Sequence, residues 1–282
     1  MPLTSIHPEL QKAQAGGYAL PLFDTFEMLG TQGILDALEE KRAPAMIAMG
    51  SGQLEQPRIG AFAAYIRAMA EGATVPVSLM LDHGSSFEHC IKALSFGFTD
   101  VMYDGSQLPL EENIANTRMV VRGAHAAGAA VEAELGHVGR GSEYADFGSQ
   151  RKGFTDPAVA AYFVEETGVD FLAVAIGSAH GLYEGEPQLD LELLEEIRRA
   201  VDIPLVLHGG SGLSDQQFRD AIAGGISKVN IFTDLSVTAR DRVKAVAQEE
   251  DASYFSITDA IREAFKERCG HFLDVFGASG KA

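Results

Sequence analysis

Three histidines in this chain are each followed by glycine: His83-Gly84, His180-Gly181 and His208-Gly209. Each comes at or just beyond a short apolar run. A neutral imidazole is a good ligand for zinc, and three of them leave coordination positions open for a substrate. His83, His180 and His208 are therefore expected to hold Zn2+ or a similar divalent ion. Asp82 directly precedes the first of them. A carboxylate beside a metal ligand can serve as general acid or base. Asp104, Glu132 and Glu134 also lie in or at the end of apolar runs. A carboxylate in a protein interior is costly unless it is paired or bound to a cation. Asp104 and Glu134 thus have two readings, a structural pair with a histidine or arginine, or a second metal position. Of the remaining histidines, His7, His89, His125 and His271 read as surface residues, whereas His137 stays open as a site residue.

Something must bring these residues together. From Pro76 to Asp104 the chain reads strand, helix, strand, so two adjacent strands deliver Asp82, His83 and Asp104 to one end. Short continuous apolar runs of this kind are the mark of buried parallel strands. The expected strands are 18–23, 44–49, 77–81, 100–103, 130–135, 171–176, 205–207 and 228–231, with helices between them. Eight such units close a (β/α)8 TIM barrel of the α/β class, whose active site lies at the C-terminal ends of the strands. A doubly wound open sheet is the runner-up. Residues 1–282 are expected to form one domain, with a C-terminal helical tail over 256–282. Strict alternation would send Asp82 and His83 to opposite faces. Both reach the site only if the strand ends there, which Gly84 permits.

Two loops stand out. Gly136 to Gly153 is too long and polar for an ordinary turn; at the functional face it reads as a mobile lid rather than a floppy insertion. Gly209-Gly210-Ser211-Gly212 follows the seventh strand, and Asn230-Ile231-Phe232-Thr233 ends the eighth. Glycine-rich backbone beside a helix N-terminus at this place in a barrel suits a phosphate. Lys228 is the only lysine in an expected strand and begins it, at the end away from the site. A Schiff-base mechanism is therefore disfavoured.

Composition narrows the partners. A net charge of −18 without a basic stripe argues against nucleic acid. No stretch is long and apolar enough for a membrane span, and the N-terminus lacks the apolar core of a signal peptide. Cys90 and Cys269 cannot build a disulfide framework and read as reduced thiols of a cytoplasmic protein.

The segments LDHGSSFEHCIKA, YDGSQLPLEENI, VEAELG, AVAIGSAHG, PLVLHGGSG, KVNIFTD and FGASGKA together resemble the zinc-dependent class II ketose-bisphosphate aldolases, the group of fructose- and tagatose-bisphosphate aldolases. The resemblance implies that His83, His180 and His208 hold zinc and that Asp82 is the catalytic proton donor. It implies that Gly181, Gly209 to Ser211 and Asn230 to Thr233 hold dihydroxyacetone phosphate. A monovalent cation (Na+ or K+) near the phosphate and a homodimer or homotetramer are further implications. The expected activity is reversible cleavage of a phosphorylated ketose to dihydroxyacetone phosphate and an aldehyde through a zinc-stabilised ene-diolate. Rival readings are a zinc hydrolase on the same barrel and a non-catalytic partner subunit.

The departures from the family pattern fall on one side of the site. Asp24 and Phe26 stand where the family has asparagines, and Phe232 where it has a small residue. The family's lid motif, Gly-Gly-x-Glu-Asp, is here Gly139-Arg140-Gly141-Ser142-Glu143. Glu143 is the expected lid carboxylate if the lid shifts by one residue. With an acceptor-only carboxylate at Asp24, the expected substrate is a ketose 1-phosphate, or a bisphosphate whose far end is held differently.

Overall fold

A computed structural model describes residues 3–136, 138–140, 153–181, 183 and 187–282, with the side chains of 139 and 140 left out. Eight parallel strands close into a TIM barrel. In chain order they are β1 (Leu20–Asp24), β2 (Ala45–Gly50), β3 (Val77–Gly84), β4 (Asp100–Tyr103), β5 (Ala130–Leu135), β7 (Phe171–Val174), β9 (Leu205–Leu207) and β10 (Ile226–Ile231). Each pairs with the next, and β10 returns to β1 with Leu20 opposite Lys228. The open-sheet alternative is thereby excluded. Two further strands, β6 (Gly139–Arg140) and β8 (Ala179–His180), pair with each other above the barrel.

The helices between strands form for local reasons. Ser86 caps Phe87–Ser95 through the His89 N–H, and Asp156 caps Pro157–Thr167 with proline in the first turn. Ser214 and Gln217 form a reciprocal capping box on Asp215–Ala223. The tail helix, Tyr254–Val275, packs on Met28–Lys41. At Gly33 any Cβ would collide with the Arg262 carbonyl oxygen, so the two helices cross at backbone contact. Beyond it, the Phe276 carbonyl accepts from Ala19 N–H at 3.0 Å and the Lys41 carbonyl from Gly280 N–H at 2.8 Å. The extension is thus stitched to the barrel.

A short helix, His7–Gly16, was not foreseen in the sequence. It and the preceding residues cover the N-terminal end of the barrel, where Ile6, Leu10 and Ala13 are buried. Asp100, at the start of β4, holds this segment: Oδ1 accepts from Ser5 Oγ at 2.6 Å, and Oδ2 from Ile6 N–H at 3.0 Å. Among the described residues no helix is long and apolar enough to cross a membrane.

Candidate active site

The C-terminal ends of the strands carry the site, and β3 supplies its first two groups by breaking strand geometry. The β3–β4 register shifts between Leu81 and Gly84, and His83 takes a left-handed φ of 48°. A non-glycine residue in that region is strained, and a bulge re-aims a side chain that regular alternation would send away. Gly84 is required for a second reason: a Cβ there would strike the Met102 carbonyl oxygen of β4. Asp82 and His83 consequently line the same cavity, inside a strand that runs on to Gly84 rather than stopping before it.

The other histidines arrive differently. His208 follows β9 directly and is fully buried. His180 lies six residues past the end of β7, on the separate strand β8, and not at a barrel strand end as its spacing predicts. Tyr183 ties this segment down, its hydroxyl accepting from Ala179 N–H at 2.7 Å and donating to the Gly209 carbonyl at 2.8 Å. Nothing in the sequence marks Tyr183 for that task. The three imidazoles converge, with ring centres 4.7, 4.9 and 5.8 Å apart. One nitrogen from each lies within 4.8 Å of the others, so His83, His180 and His208 could hold a metal ion.

Charge around the cluster favours a cation. Burial alone would lower the His83 imidazole, yet Asp82, Asp104 and Glu134 outweigh it and push it up to about 10. Its Nδ1 lies 2.9 Å from Asp104 Oδ2 and its Nε2 3.0 Å from His208 Nδ1. Burial lowers His208 and His180, the latter to about 4, so both rings are neutral and each offers a lone pair. Buried His180 Nε2 and Glu134 Oε2 have no hydrogen-bond partner. Buried polar atoms left so are costly, and a cation there would satisfy both. The donor set, three imidazoles with carboxylates at hand, therefore fits a divalent metal.

Each candidate carboxylate has a distinct setting. Burial opposes the charge of Asp104, but the His83 hydrogen bond outweighs it and holds the carboxyl below the ordinary range. Glu134 sits 3.8 Å from His83 and 3.6 Å from His208; burial, then the charge of Asp104, pushes it up to about 8. His83, Asp104 and Glu134 form a second group that could hold an ion. Glu132 takes the structural alternative instead, 2.7 Å from His208 Nε2 and 2.7 Å from Lys228 Nζ.

That last contact corrects the sequence-based placement of Lys228. β10 begins at Ile226, so Lys228 is mid-strand, and its side chain is fully buried in the barrel beneath the site. Position does not set it apart from the chemistry; its ammonium is taken up by Glu132 and by Asn230 Oδ1 at 2.6 Å.

A cavity of about 260 Å³ opens beside the histidines. Asp82, Gly181, Gly209, Gly210, Ser211, Asn230, Phe232 and Thr233 line it. Ile231 does not. Strand alternation turns it away from Asn230 into the barrel wall, where it is fully buried. Ser211 Oγ accepts from Asp234 N–H at 3.1 Å, which seats the glycine loop on the first turn of helix Thr233–Val246. Gly209 must be glycine, at φ 68° against the Ala179 backbone. Asp24, Phe26 and Gly50 complete the opposite wall. Burial, then the charge of Asp82, raises Asp24 well above the usual carboxylate range. Phe26 and Phe232 do not pack into the wall: half-exposed, they meet at the rim with centroids 4.8 Å apart.

The expected lid over 136–153 lies largely outside the described residues, and with it Glu143 and His137. Its described beginning pairs Arg140 with His180 across β6 and β8. The remaining histidines all face carboxylates: His7 and His125 face Asp170, His89 faces Glu55, and His271 faces Asp215.

Residues 4–281 match the family model described as class II fructose-bisphosphate aldolase. The chain is 41% identical over 265 residues, 94% of each protein, to the uncharacterized protein YdjI of Escherichia coli K12. It is 39% identical over the full length of both to a probable fructose-bisphosphate aldolase of Bacillus subtilis. The crystal structure of the E. coli YdjI aldolase superposes with a TM-score of 0.90, covering 99% of each chain at 38% identity. A putative fructose-1,6-bisphosphate aldolase from Coccidioides immitis gives 0.86 at 29% identity, covering 97% of this chain and 96% of that one.

Proposed function

The chain belongs to the class II fructose-bisphosphate aldolase family, an aldehyde-lyase family, and from that premise we propose that it reversibly cleaves a phosphorylated ketose to dihydroxyacetone phosphate and an aldehyde. The observation that carries the proposal is the convergence of His83, His180 and His208, with His83 and His180 beside Asp82 on the cavity wall. These three imidazoles would hold a zinc ion, with Asp104 and Glu134 at a second metal position. When bound, the ion supplies a Lewis acid that offsets charge developing on the substrate oxygens.

The protein's own groups do the rest. Asp82 takes the proton of the C4 hydroxyl, the C3–C4 bond breaks, and the aldehyde leaves with the electron pair of the O–H bond closing its carbonyl. The electron pair of the broken bond passes to the dihydroxyacetone phosphate half as an ene-diolate, whose carbon must then take up a proton. Glu143 is assigned that step; it lies outside the described residues. Asn230 donates to Asp82 Oδ1 at 2.8 Å and so holds the acid in place. Gly181, the loop Gly209–Ser211 and the helix N-terminus at Thr233 are assigned the phosphate, which backbone N–H groups and the helix dipole can receive without a basic side chain. A monovalent cation near that phosphate, a cytoplasmic location and a homodimer or homotetramer are part of the same proposal.

The aldehyde side supports a narrower substrate class. No lysine or arginine lines the cavity among the described residues. A second phosphate would meet Asp24, Phe26 and Phe232 instead, so a ketose 1-phosphate fits better. Incubation with a panel of ketose phosphates, with chromatographic identification of products, tests the reaction class. Dihydroxyacetone phosphate plus an aldehyde is expected, abolished by chelation and restored by zinc. Release of inorganic phosphate alone, or full turnover in metal-stripped protein, would refute it.

A further inference from the structure

We infer that Lys228 is a positioning residue for both halves of the site, setting Asp82 through Asn230 and His208 through Glu132. The roles given to Asp82 and His208 rest on the aldolase proposal; the geometry does not. Among the described residues Lys228 is the only fully buried lysine or arginine. Its Nζ lies 2.6 Å from Asn230 Oδ1 and 2.7 Å from Glu132 Oε2.

Donor and acceptor chemistry makes this one ammonium decisive. An ammonium only donates, so the Asn230 atom that faces it must be the carbonyl oxygen. The amide NH2 is thereby turned toward Asp82, to which it donates at 2.8 Å. Without Lys228, the amide is free to flip and present its oxygen to the Asp82 carboxylate. On the other branch, the Lys228 ammonium lies against Glu132 Oε2. A carboxylate paired with an ammonium only accepts, and its Oε1 lies 2.7 Å from His208 Nε2. An imidazole that ligates a metal has one proton on its other nitrogen, and the nitrogen that faces Glu132 is Nε2. The Nδ1 lone pair then points toward His83, where the three rings converge. One side chain at the middle of β10 thus links β3, β5 and the residue after β9, and fixes an orientation at each end.

The test compares the zinc-loaded wild type with Lys228→Met and Lys228→Met/Glu132→Gln. Removing one partner of a buried pair leaves a costly lone charge, whereas removing both is far better tolerated. The double variant therefore keeps the experiment informative if the single variant unfolds. In the double variant we expect stoichiometric zinc, a thermal midpoint close to wild type, a kcat for ketose phosphate cleavage lower by about tenfold to a hundredfold, and a KM changed less than about twofold. An unchanged kcat in folded, zinc-replete double variant overturns the inference. Two NMR observations on the zinc-loaded wild type need no substrate. His208 should carry its proton on Nε2, and one Asn230 NH2 proton should be protected from solvent exchange. A proton on His208 Nδ1, or an unprotected Asn230 amide, also overturns it. If the wild type cleaves no ketose phosphate the aldolase proposal falls, while these spectra still decide the positioning.

Discussion

Asp82 and Asp24 face the same cavity, and their surroundings give them different chemistry. Asp82 has an amide donor from Asn230 at 2.8 Å and lies next to a candidate metal ligand. Asp82→Asn should keep the fold and the bound metal but lower kcat by about 10²-fold or more, the scale of a lost acid–base group. Wild-type turnover in that variant, measured with zinc content confirmed, would assign the proton transfer elsewhere. Asp24 is raised by burial and by the charge of Asp82. Because its folded value exceeds the unfolded one, the folded chain binds this proton more tightly. The stability it contributes is present at low pH and is lost as pH rises through the folded value. Asp24→Asn should therefore stabilise the protein against urea more at pH 9 than at pH 5. An equal gain at both pH values would show that Asp24 is ionised throughout.

At the scale of elements, the barrel depends on contacts at its closed end as well as its open one. Asp100 ties the N-terminal segment to the barrel through five acceptor contacts. Oδ1 receives Ser5 Oγ and Ala130 N–H, and Oδ2 receives Ile6 N–H, Ser78 Oγ and Thr99 Oγ1. A backbone N–H approaches each oxygen. Either orientation of an asparagine amide at 100 would therefore set its NH2 against a backbone donor. Asp100→Asn should cost about 1–3 kcal/mol, the penalty of an unsatisfied buried donor, and should loosen residues 3–6. Denaturant unfolding with hydrogen exchange on Ile6 checks both. An unchanged midpoint would mean that the N-terminal segment is held by the packing of Ile6 and Leu10 alone.

For the whole molecule, the aldolase proposal turns on the shape of the cavity. One side of the cavity follows the family pattern, with Gly209, Gly210, Ser211 and Thr233 beside a helix N-terminus. The other side carries Asp24 and the Phe26–Phe232 pair. The apolar rim and the absence of a described basic lining residue disfavour a second phosphate there. The expected order of kcat/KM places ketose 1-phosphates above fructose 1,6-bisphosphate and tagatose 1,6-bisphosphate. If fructose 1,6-bisphosphate is best by about tenfold, roughly 1.4 kcal/mol of transition-state preference, the assignment of the aldehyde side is wrong. Phe232→Ala should then be neutral for the bisphosphates rather than improve them.

The eight-strand barrel was legible in sequence because each parallel strand is buried on both faces and so appears as an apolar run. His83 and His208 were legible because histidine-glycine at the end of such a run has few other uses. His180 was found by the same pattern, but its true place on β8, paired with Arg140, depends on a contact between segments far apart in the chain. The left-handed turn at His83 left only Gly84 as a trace; the bulge that points Asp82 and His83 into one cavity arises from pairing with β4. Lys228 shows the limit most clearly. Local spacing gives the face a strand residue occupies only once the strand's first residue is known, and β10 starts two residues earlier than its apolar run suggests. What the ammonium does there is set by Glu132 and Asn230. Glu132 is distant in sequence, and a charge inside a barrel takes its role from whichever partners the closed fold brings within hydrogen-bond reach.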